Sequence, residues 1–183
     1  MAGTSTEYFL EKFCGKEDIV TPITPSESDE HTPRNFEKYK FHSHSSLSDI
    51  FSKIPKESIK DYKIIANQRN TWDRVASMYS MAYYRGKTQR DFYGWLSVHV
   101  ENYLSPIYPQ CKQIQEWIRY SSLESDIINF CESLGIDCEN SKLLHAKKYR
   151  KKHYTDQYNK ESIRMVSEAY ADDIEFFGHK FGE

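Results

Sequence analysis

Hydrophobic positions along the chain outline one clear strand-turn-helix unit in residues 62–84. Residues 62–67 contain the short apolar run Ile64-Ile65-Ala66, which is typical of a strand covered on both faces of a parallel sheet. Asn70 or Thr71 can cap the helix that follows. In that helix, apolar residues recur at spacings of three and four and predict one stripe facing the core: Trp72, Val75, Ala76, Tyr79, Ala82 and Tyr83.

The remaining pattern predicts more helices and one more strand. Residues 14–45, rich in Pro, Ser, Thr and charge, are predicted to form a long loop ordered by its neighbours. Gly15, Gly135 and Gly178 are predicted helix stops. The predicted elements are helices over 3–13, 46–54, 89–101, 122–134 and 159–177, and a short strand over 116–120. Helices alternating with few strands indicate an α/β fold, in a single domain of residues 1–183.

Composition narrows the class of protein. With 183 residues, 38% hydrophobic and 28% charged, the chain is long and apolar enough to bury a core. No apolar run approaches the roughly 18 residues of a membrane span, and no basic segment followed by an apolar one suggests a signal peptide. The expected location is therefore cytoplasmic. A net charge of -2 argues against a general nucleic-acid-binding surface, which is usually basic.

Arg69 and Ser77 are polar residues of this unit that lie off the core stripe. Arg69 lies at the carboxyl end of the predicted strand, where open parallel sheets bind ligands, and Ser77 lies about two turns into the next helix. A guanidinium offers a planar fork to a phosphate, and a serine hydroxyl can donate to another oxygen of that group. The alternative is that Arg69 pairs with a surface carboxylate and Ser77 is merely tolerated in the helix.

The sequence RNTWDRVASMY resembles the stretch R-[DN]-P-x-[DE]-R-x-x-S-x-Y of sulfotransferases that use 3′-phosphoadenosine 5′-phosphosulfate (PAPS). The resemblance implies a P-loop-NTPase-like sulfotransferase fold, a parallel sheet flanked by helices, in which Arg69 and Ser77 hold the 3′-phosphate of PAPS. Thr71 stands where the family usually has Pro. The ending YADDIEFFGHKF is similar to the family ending Y-x-x-D-x-x-x-F-G-Y, with an apolar core part: Phe176, Phe177 and Phe181.

The opening AGTS resembles the end of the family's 5′-phosphosulfate loop, typically P-K-x-A-G-T-S. By this resemblance, backbone N–H groups and hydroxyls of Gly3, Thr4 and Ser5 cradle the sulfate-bearing phosphate. The first strand and the Pro-Lys that precede this loop in the family are not in the sequence, so an N-terminally truncated domain is expected. In the family, that Lys neutralises charge on the bridging oxygen as the sulfuryl group leaves. Without it, a non-catalytic remnant that binds PAPS or its desulfated product remains an alternative.

The sequence FHSHSSL resembles the His-x-His of 2-O-sulfotransferases that act on uronic-acid polysaccharides. The resemblance implies that His44 is the catalytic base and His42 its helper, and a free imidazole pKa of about 6.5 suits proton transfer from a hydroxyl. The alternatives are two exposed loop histidines or two metal ligands. No metal is expected, because no third ligand lies at a suitable spacing.

A basic run, AKKYRKKHY, precedes the last predicted helix. Lys148 and Arg150 are candidates to clamp the 3′-phosphate or an anionic acceptor, although most such runs are simply solvated. The resemblance spans Ala2 to Phe181 and implies transfer of a sulfuryl group from PAPS to a hydroxyl acceptor, with a carbohydrate as the first expectation. A nucleotide kinase on a related fold is disfavoured because the chain has no G-K-[ST] signature.

Overall fold

A small parallel sheet with helices around it forms the centre of the structure. The computed structural model describes residues 3–24, 28–100, 108–139, 141–146, 149–150 and 152–183. Strands β1 (Ile65–Gln68) and β2 (Glu116–Arg119) pair in parallel, with Ile65 opposite Glu116 and Gln68 opposite Arg119. The predicted α/β fold with a parallel sheet flanked by helices is confirmed, and within the described ranges this sheet has two strands.

The predicted helices are present in the predicted order with shifted ends, and one short helix, α3, was not predicted. Their bounds are α1 Gly3–Glu11, α2 Leu47–Lys53, α3 Lys56–Ile59, α4 Thr71–Tyr84, α5 Phe92–His99, α6 Leu123–Ser133, α7 Lys160–Ala169 and α8 Ala171–Phe177. Asn70 caps α4, because its side-chain oxygen accepts the backbone N–H groups of Trp72 and Asp73 at 3.1 and 3.4 Å. None of the helices in the described part of the chain is long and apolar enough to cross a bilayer.

The prediction of a single helix over residues 159–177 is wrong, because the helix is interrupted at Tyr170. The backbone of Tyr170 leaves the helical region at φ -124° and ψ 31°, and α8 starts afresh at Ala171. The break coincides with buried contacts. Tyr170 is 1% exposed, and the carboxylate of the equally buried Asp173 accepts a hydrogen bond of 2.9 Å from Nη2 of Arg74 on α4. A buried carboxylate needs such a partner, so this ion pair fixes the direction of α8.

Two groups of buried apolar side chains form the core. One joins α4 and α5 to α7 and the segment before it: Trp72, Val75, Ala76, Phe92, Trp95, Leu96, Val100, Tyr154, Val166 and Tyr170. The other joins α1 to β2 and α6: Phe9, Ile118, Leu123, Ile127, Phe130, Cys131, Cys138 and Leu143. Ile118 of β2 belongs to the second group, and Ile65 of β1 packs against it. Trp72 in the first turn of α4 belongs to the first group, so the segment from β1 into α4 is held by both.

Candidate functional site

A cleft of about 230 Å³ lies at the carboxyl ends of the two strands. Because β1 and β2 are parallel, the residues that follow them reach the same edge of the sheet, and Arg69 and Tyr120 both line the cleft. The turn after α8 closes another side through Gly178 and His179. Open parallel sheets bind ligands at this edge, next to the N-terminal ends of the following helices.

Arg69 is held by three partners in this cleft. Its Nη1 donates to Oγ of Ser77 over 3.1 Å, and its Nε donates to Oδ2 of Asp73 over 2.6 Å. The guanidinium lies 3.8 Å from the ring centre of Tyr120, a cation–π distance. The structure therefore brings Arg69 and Ser77 into direct contact, and the carboxylate that pairs with Arg69 is buried rather than on the surface.

Asp73 connects a second arginine to the same cluster. Nη2 of Arg150 donates to Oδ1 of Asp73, so one buried carboxylate serves two guanidinium groups. Nη1 of Arg150 is buried and has no hydrogen-bond partner among the described residues. The cluster thus carries an excess positive charge and an unused donor. Lys148, the other candidate from the basic run, lies outside the residues that the structure describes.

The two arginines keep Asp73 ionised. Burial alone would raise the pKa of this carboxyl, but the hydrogen bonds and charges of Arg69 and Arg150 outweigh burial and lower it below its usual range. Charge-assisted hydrogen bonds of this kind also fix the planes of both guanidinium groups. The cluster is therefore preorganised, with Arg69, Ser77 and Arg150 aligned by one carboxylate.

Gly3, Thr4 and Ser5 form the first turn of α1 and not a separate loop before the helix. In a first turn the backbone N–H groups have no partner inside the helix. Oγ of Ser5 accepts the backbone N–H of Ala146 at 3.1 Å, and Oγ1 of Thr6 donates to Oδ1 of Asn67 at 2.8 Å. The second contact fixes the start of α1 beside β1.

His42 and His44 lie in an exposed turn before α2, and neither lines the cleft at the strand ends. The backbone N–H of His44 donates to Nδ1 of His42 at 3.2 Å, and the backbone N–H of His42 donates to Oγ of Ser45 at 3.0 Å. The imidazole of His42 therefore shapes the turn. The structure brings these two histidines together but does not bring them to Arg69.

A different histidine, His31, is buried beside a larger cleft of about 700 Å³ between α1 and residues 28–34. Its Nδ1 lies 2.5 Å from the carboxylate of Glu11, and its Nε2 accepts the backbone N–H of Ile23 at 3.2 Å. Arg34 also donates to Glu11, at 3.2 Å, and to the carbonyl of Gly15 at 3.0 Å. Both ring nitrogens are thus engaged, and the group fastens the 28–34 segment to α1.

Several residues that line the cleft were not predicted as ligand contacts, among them Asp73, Tyr120 and His179. Asp73 is the acidic position of the RNTWDRVASMY motif, and a carboxylate in the first turn of a helix also suits the helix dipole. His179 follows Gly178, where the ending that the sequence resembles has a tyrosine. That substitution is the signal that points to His179. For Tyr120, the end of the second strand was the available signal.

Comparison of the chain with models of known protein families, with characterised proteins and with solved structures finds no match. Function is therefore argued from the site itself. In the part of the chain that the structure describes, no group of three or more His, Cys, Asp or Glu side chains is arranged to hold a metal ion. The cluster that reaches the cleft through Arg69 joins positive charge, a hydroxyl and a donor with no partner among the described residues, which is the chemistry of an anion site.

Proposed function

We propose that the protein is a PAPS-dependent sulfotransferase of the P-loop-like type, which transfers a sulfuryl group to a hydroxyl acceptor, with a carbohydrate as the first candidate. The observation that carries the proposal is the pair of arginines that share the Asp73 carboxylate beside Ser77. A phosphate that enters this cleft meets the guanidinium of Arg69, which is bonded to Ser77 and shares Asp73 with Arg150. Nη1 of Arg150, which has no hydrogen-bond partner among the residues that the structure describes, supplies a further donor.

The roles of the residues follow from what each can donate or accept. Arg69, Ser77 and Arg150 hold the 3′-phosphate of PAPS. The free N–H groups in the first turn of α1, Gly3 to Ser5, hold the 5′-phosphosulfate, whose negative charge the helix N-terminus favours. Helix α1 starts next to the end of β1 through the contact of Thr6 with Asn67, which supports assigning both phosphates to this edge of the sheet.

The transfer is a substitution at sulfur. The acceptor oxygen forms a bond to sulfur while the bond from sulfur to the bridging phosphate oxygen breaks, and the electron pair of that bond leaves with adenosine 3′,5′-bisphosphate. The acceptor proton passes to the imidazole of His44, whose exposed position before α2 leaves it open to a large acceptor such as a polysaccharide. His42 supports the turn that carries His44.

A second candidate is a protein that binds PAPS or adenosine 3′,5′-bisphosphate without transferring the group. The position of His42 and His44 outside the cleft favours this candidate, because a base must reach the acceptor hydroxyl. Both candidates require the same nucleotide site, so binding and transfer are tested separately.

Thermal unfolding with adenosine 3′,5′-bisphosphate tests the site that both candidates share. Ligand at about 100 times its dissociation constant stabilises a folded protein by about 2.7 kcal/mol, which gives a clear rise in melting temperature. The rise is expected in the wild type and in Arg164→Ala, whose arginine pairs with Glu161 and Glu168 on the surface of α7. It is expected to be absent in Arg69→Ala. No rise in the wild type at millimolar nucleotide contradicts both candidates.

Transfer of radiolabelled sulfate from PAPS to a panel of polysaccharides then distinguishes the sulfotransferase from the non-catalytic binding protein. Formation of labelled polysaccharide by the wild type but not by Arg69→Ala supports the sulfotransferase. His44→Ala is expected to lower the rate of sulfuryl transfer by at least about 100-fold. Binding without labelled product supports the non-catalytic candidate. Heparan-type and chondroitin-type chains with desulfated counterparts cover the uronic-acid acceptors suggested by the His-x-His resemblance.

A further inference from the structure

His179 accepts both hydrogen bonds that Thr71 offers at the start of α4. Its Nδ1 lies 3.2 Å from the backbone nitrogen of Thr71 and 2.9 Å from Oγ1 of Thr71. Its Nε2 contacts the side-chain amide of Gln68, at the end of β1. His179 therefore contacts the chain on both sides of Arg69.

The neighbouring residue reinforces this contact. The side-chain amide of Asn70 donates to the backbone carbonyl of Lys180 over 2.8 Å, while the oxygen of the same amide caps α4. Residues 179–180 thus bind the turn in which the chain leaves the strand and enters the helix. Arg69 lies within that turn, and its reach toward Ser77 depends on the backbone there.

The hydrogen bond from the backbone N–H of Thr71 requires a neutral imidazole on His179. A backbone N–H can only donate, so Nδ1 of His179 must carry a lone pair, and the ring proton belongs on Nε2. The side-chain amide nitrogen of Gln68 faces this ring nitrogen, and exchanging the positions of the amide oxygen and nitrogen lets the oxygen accept the ring proton. A protonated ring would present an N–H to the backbone N–H of Thr71, so that hydrogen bond would be lost and only the contact with the Thr71 hydroxyl could remain.

The surroundings of His179 favour the neutral ring. Burial lowers the pKa of this imidazole, and the nearby charge of Arg74 lowers it further, against the opposing charges of Asp173 and Glu183. The ring of Phe177 stacks on it at a centroid distance of 5.2 Å. The charged groups that face this region come from the turn, from α4, from α8 and from the final segment: Arg69, Asp73, Arg74, Asp173 and Glu183.

We propose that His179 is a positioning residue of the anion site, which holds the turn of Arg69 in place by accepting the amide and hydroxyl of Thr71. The inference rests on the proposed function, because it concerns the same site. His179 acts through Thr71 and the turn, and Arg69 remains the group that meets the phosphate. Loss of the imidazole therefore weakens anion binding without removing a charge from the cleft.

Thr71 offers a second way to fix the same turn. It occupies the first position of α4, where the backbone N–H has no partner inside the helix and proline is well tolerated. The preceding residue, Asn70, has ψ 131°, in the range that a residue before proline adopts. Thr71→Pro therefore keeps the turn and fixes its φ angle, while it removes both hydrogen bonds to His179.

The test is a double-mutant comparison read by calorimetric titration with adenosine 3′,5′-bisphosphate. His179→Ala is expected to weaken binding about three- to tenfold, the value of one or two hydrogen bonds. His179→Asn is expected to recover most of the affinity, because its side-chain oxygen can accept from Thr71. In the Thr71→Pro background, His179→Ala is expected to change affinity less than about twofold. An equal loss in both backgrounds, or no rescue by asparagine, overturns the inference.

Hydrogen exchange of the Thr71 amide separates this inference from the proposed function. If the wild type does not bind the nucleotide, the proposed function fails, and the exchange experiment still tests the contact. Slow exchange is expected in the wild type and in His179→Asn, and fast exchange in His179→Ala. A Thr71 amide that exchanges equally fast in the wild type and in His179→Ala overturns the positioning role of His179.

Discussion

Nη1 of Arg69 and Oγ of Ser77 lie 3.1 Å apart, although the two residues stand eight positions apart in the chain. Arg69 precedes α4 and Ser77 lies inside it, so the Arg69 side chain extends along the first two turns or so of the helix. Asp73 lies between them and accepts from the same guanidinium. Asp73 and Ser77 of α4 thus fix the guanidinium of Arg69, which lines the cleft at the strand ends.

Ser77→Ala removes one donor from this face and is expected to weaken binding of adenosine 3′,5′-bisphosphate about three- to tenfold. The effect is a lost hydrogen bond to the phosphate together with a less constrained Arg69. Calorimetric titration measures it. Ser167→Ala is the matched control, since Ser167 also lies in a helix and donates to the carbonyl of Ile163 at 2.7 Å, in α7. Equal affinities of Ser77→Ala and the wild type would remove Ser77 from the site.

Asp73→Asn leaves two buried guanidinium groups without their shared carboxylate. We expect it to lower the free energy of unfolding by about 3 kcal/mol, as for other broken buried ion pairs. Urea unfolding at neutral pH measures the change. Asp49→Asn serves as the control, because Asp49 pairs with Lys53 on the surface of α2, and such pairs add little stability. A loss no larger than that of Asp49→Asn would show that Arg69 and Arg150 do not depend on Asp73.

Asp126 is expected to contribute stability that is lost only in strong acid. A hydrogen bond from the Arg119 side chain, against the opposing effect of burial, lowers the pKa of Asp126 from 3.8 to about 2. Its folded pKa lies below its unfolded pKa, so its contribution to stability is present above about pH 4 and is lost as the pH falls toward about 2. Urea unfolding of the wild type and Asp126→Asn between pH 5 and pH 2 is expected to converge at the acid end. A constant difference would contradict the assigned shift.

His179 is expected to give a separate dependence on pH in the mildly acidic range. Burial lowers its folded pKa below the unfolded value of about 6.5. Its contribution to stability is therefore fully present above about pH 6.5 and is lost as the pH falls through the folded pKa. Melting temperatures of the wild type and His179→Asn are expected to differ in slope below about pH 6.5. Parallel curves across that range would show that the imidazole titrates freely.

Local sequence signals predicted the elements that frame the cleft. The apolar run at Ile64 to Ala66 marks β1, and the cap at Asn70 marks the start of α4. Each signal depends only on residues that are close together in the sequence. The parallel pairing with β2 was expected from the alternation of helices and strands. The break at Tyr170 was not predictable in this way, because it depends on the contact of Asp173 with Arg74, 99 positions away in sequence.

Contacts between residues far apart in the sequence also limited how much of the candidate site could be predicted. Arg69 and Ser77 were found because they lie in one short motif at the end of a strand. The bridge from Arg150 to Asp73 spans 77 positions, and the contact of His179 with Thr71 spans 108, so neither has a local signature. The histidines at 42 and 44 were noticed for their spacing, yet the fold leaves them in an exposed turn.

The central claim is that Arg69 recognises the 3′-phosphate, and a calorimetric cycle tests it most directly. Adenosine 3′,5′-bisphosphate and adenosine 5′-phosphate, which differ only in that group, are titrated into the wild type and Arg69→Ala. In the wild type, removal of the 3′-phosphate is expected to weaken binding at least about tenfold, and in Arg69→Ala this difference is expected to be several times smaller, with Ser77 and Arg150 still present. The same loss in both proteins would contradict the claim.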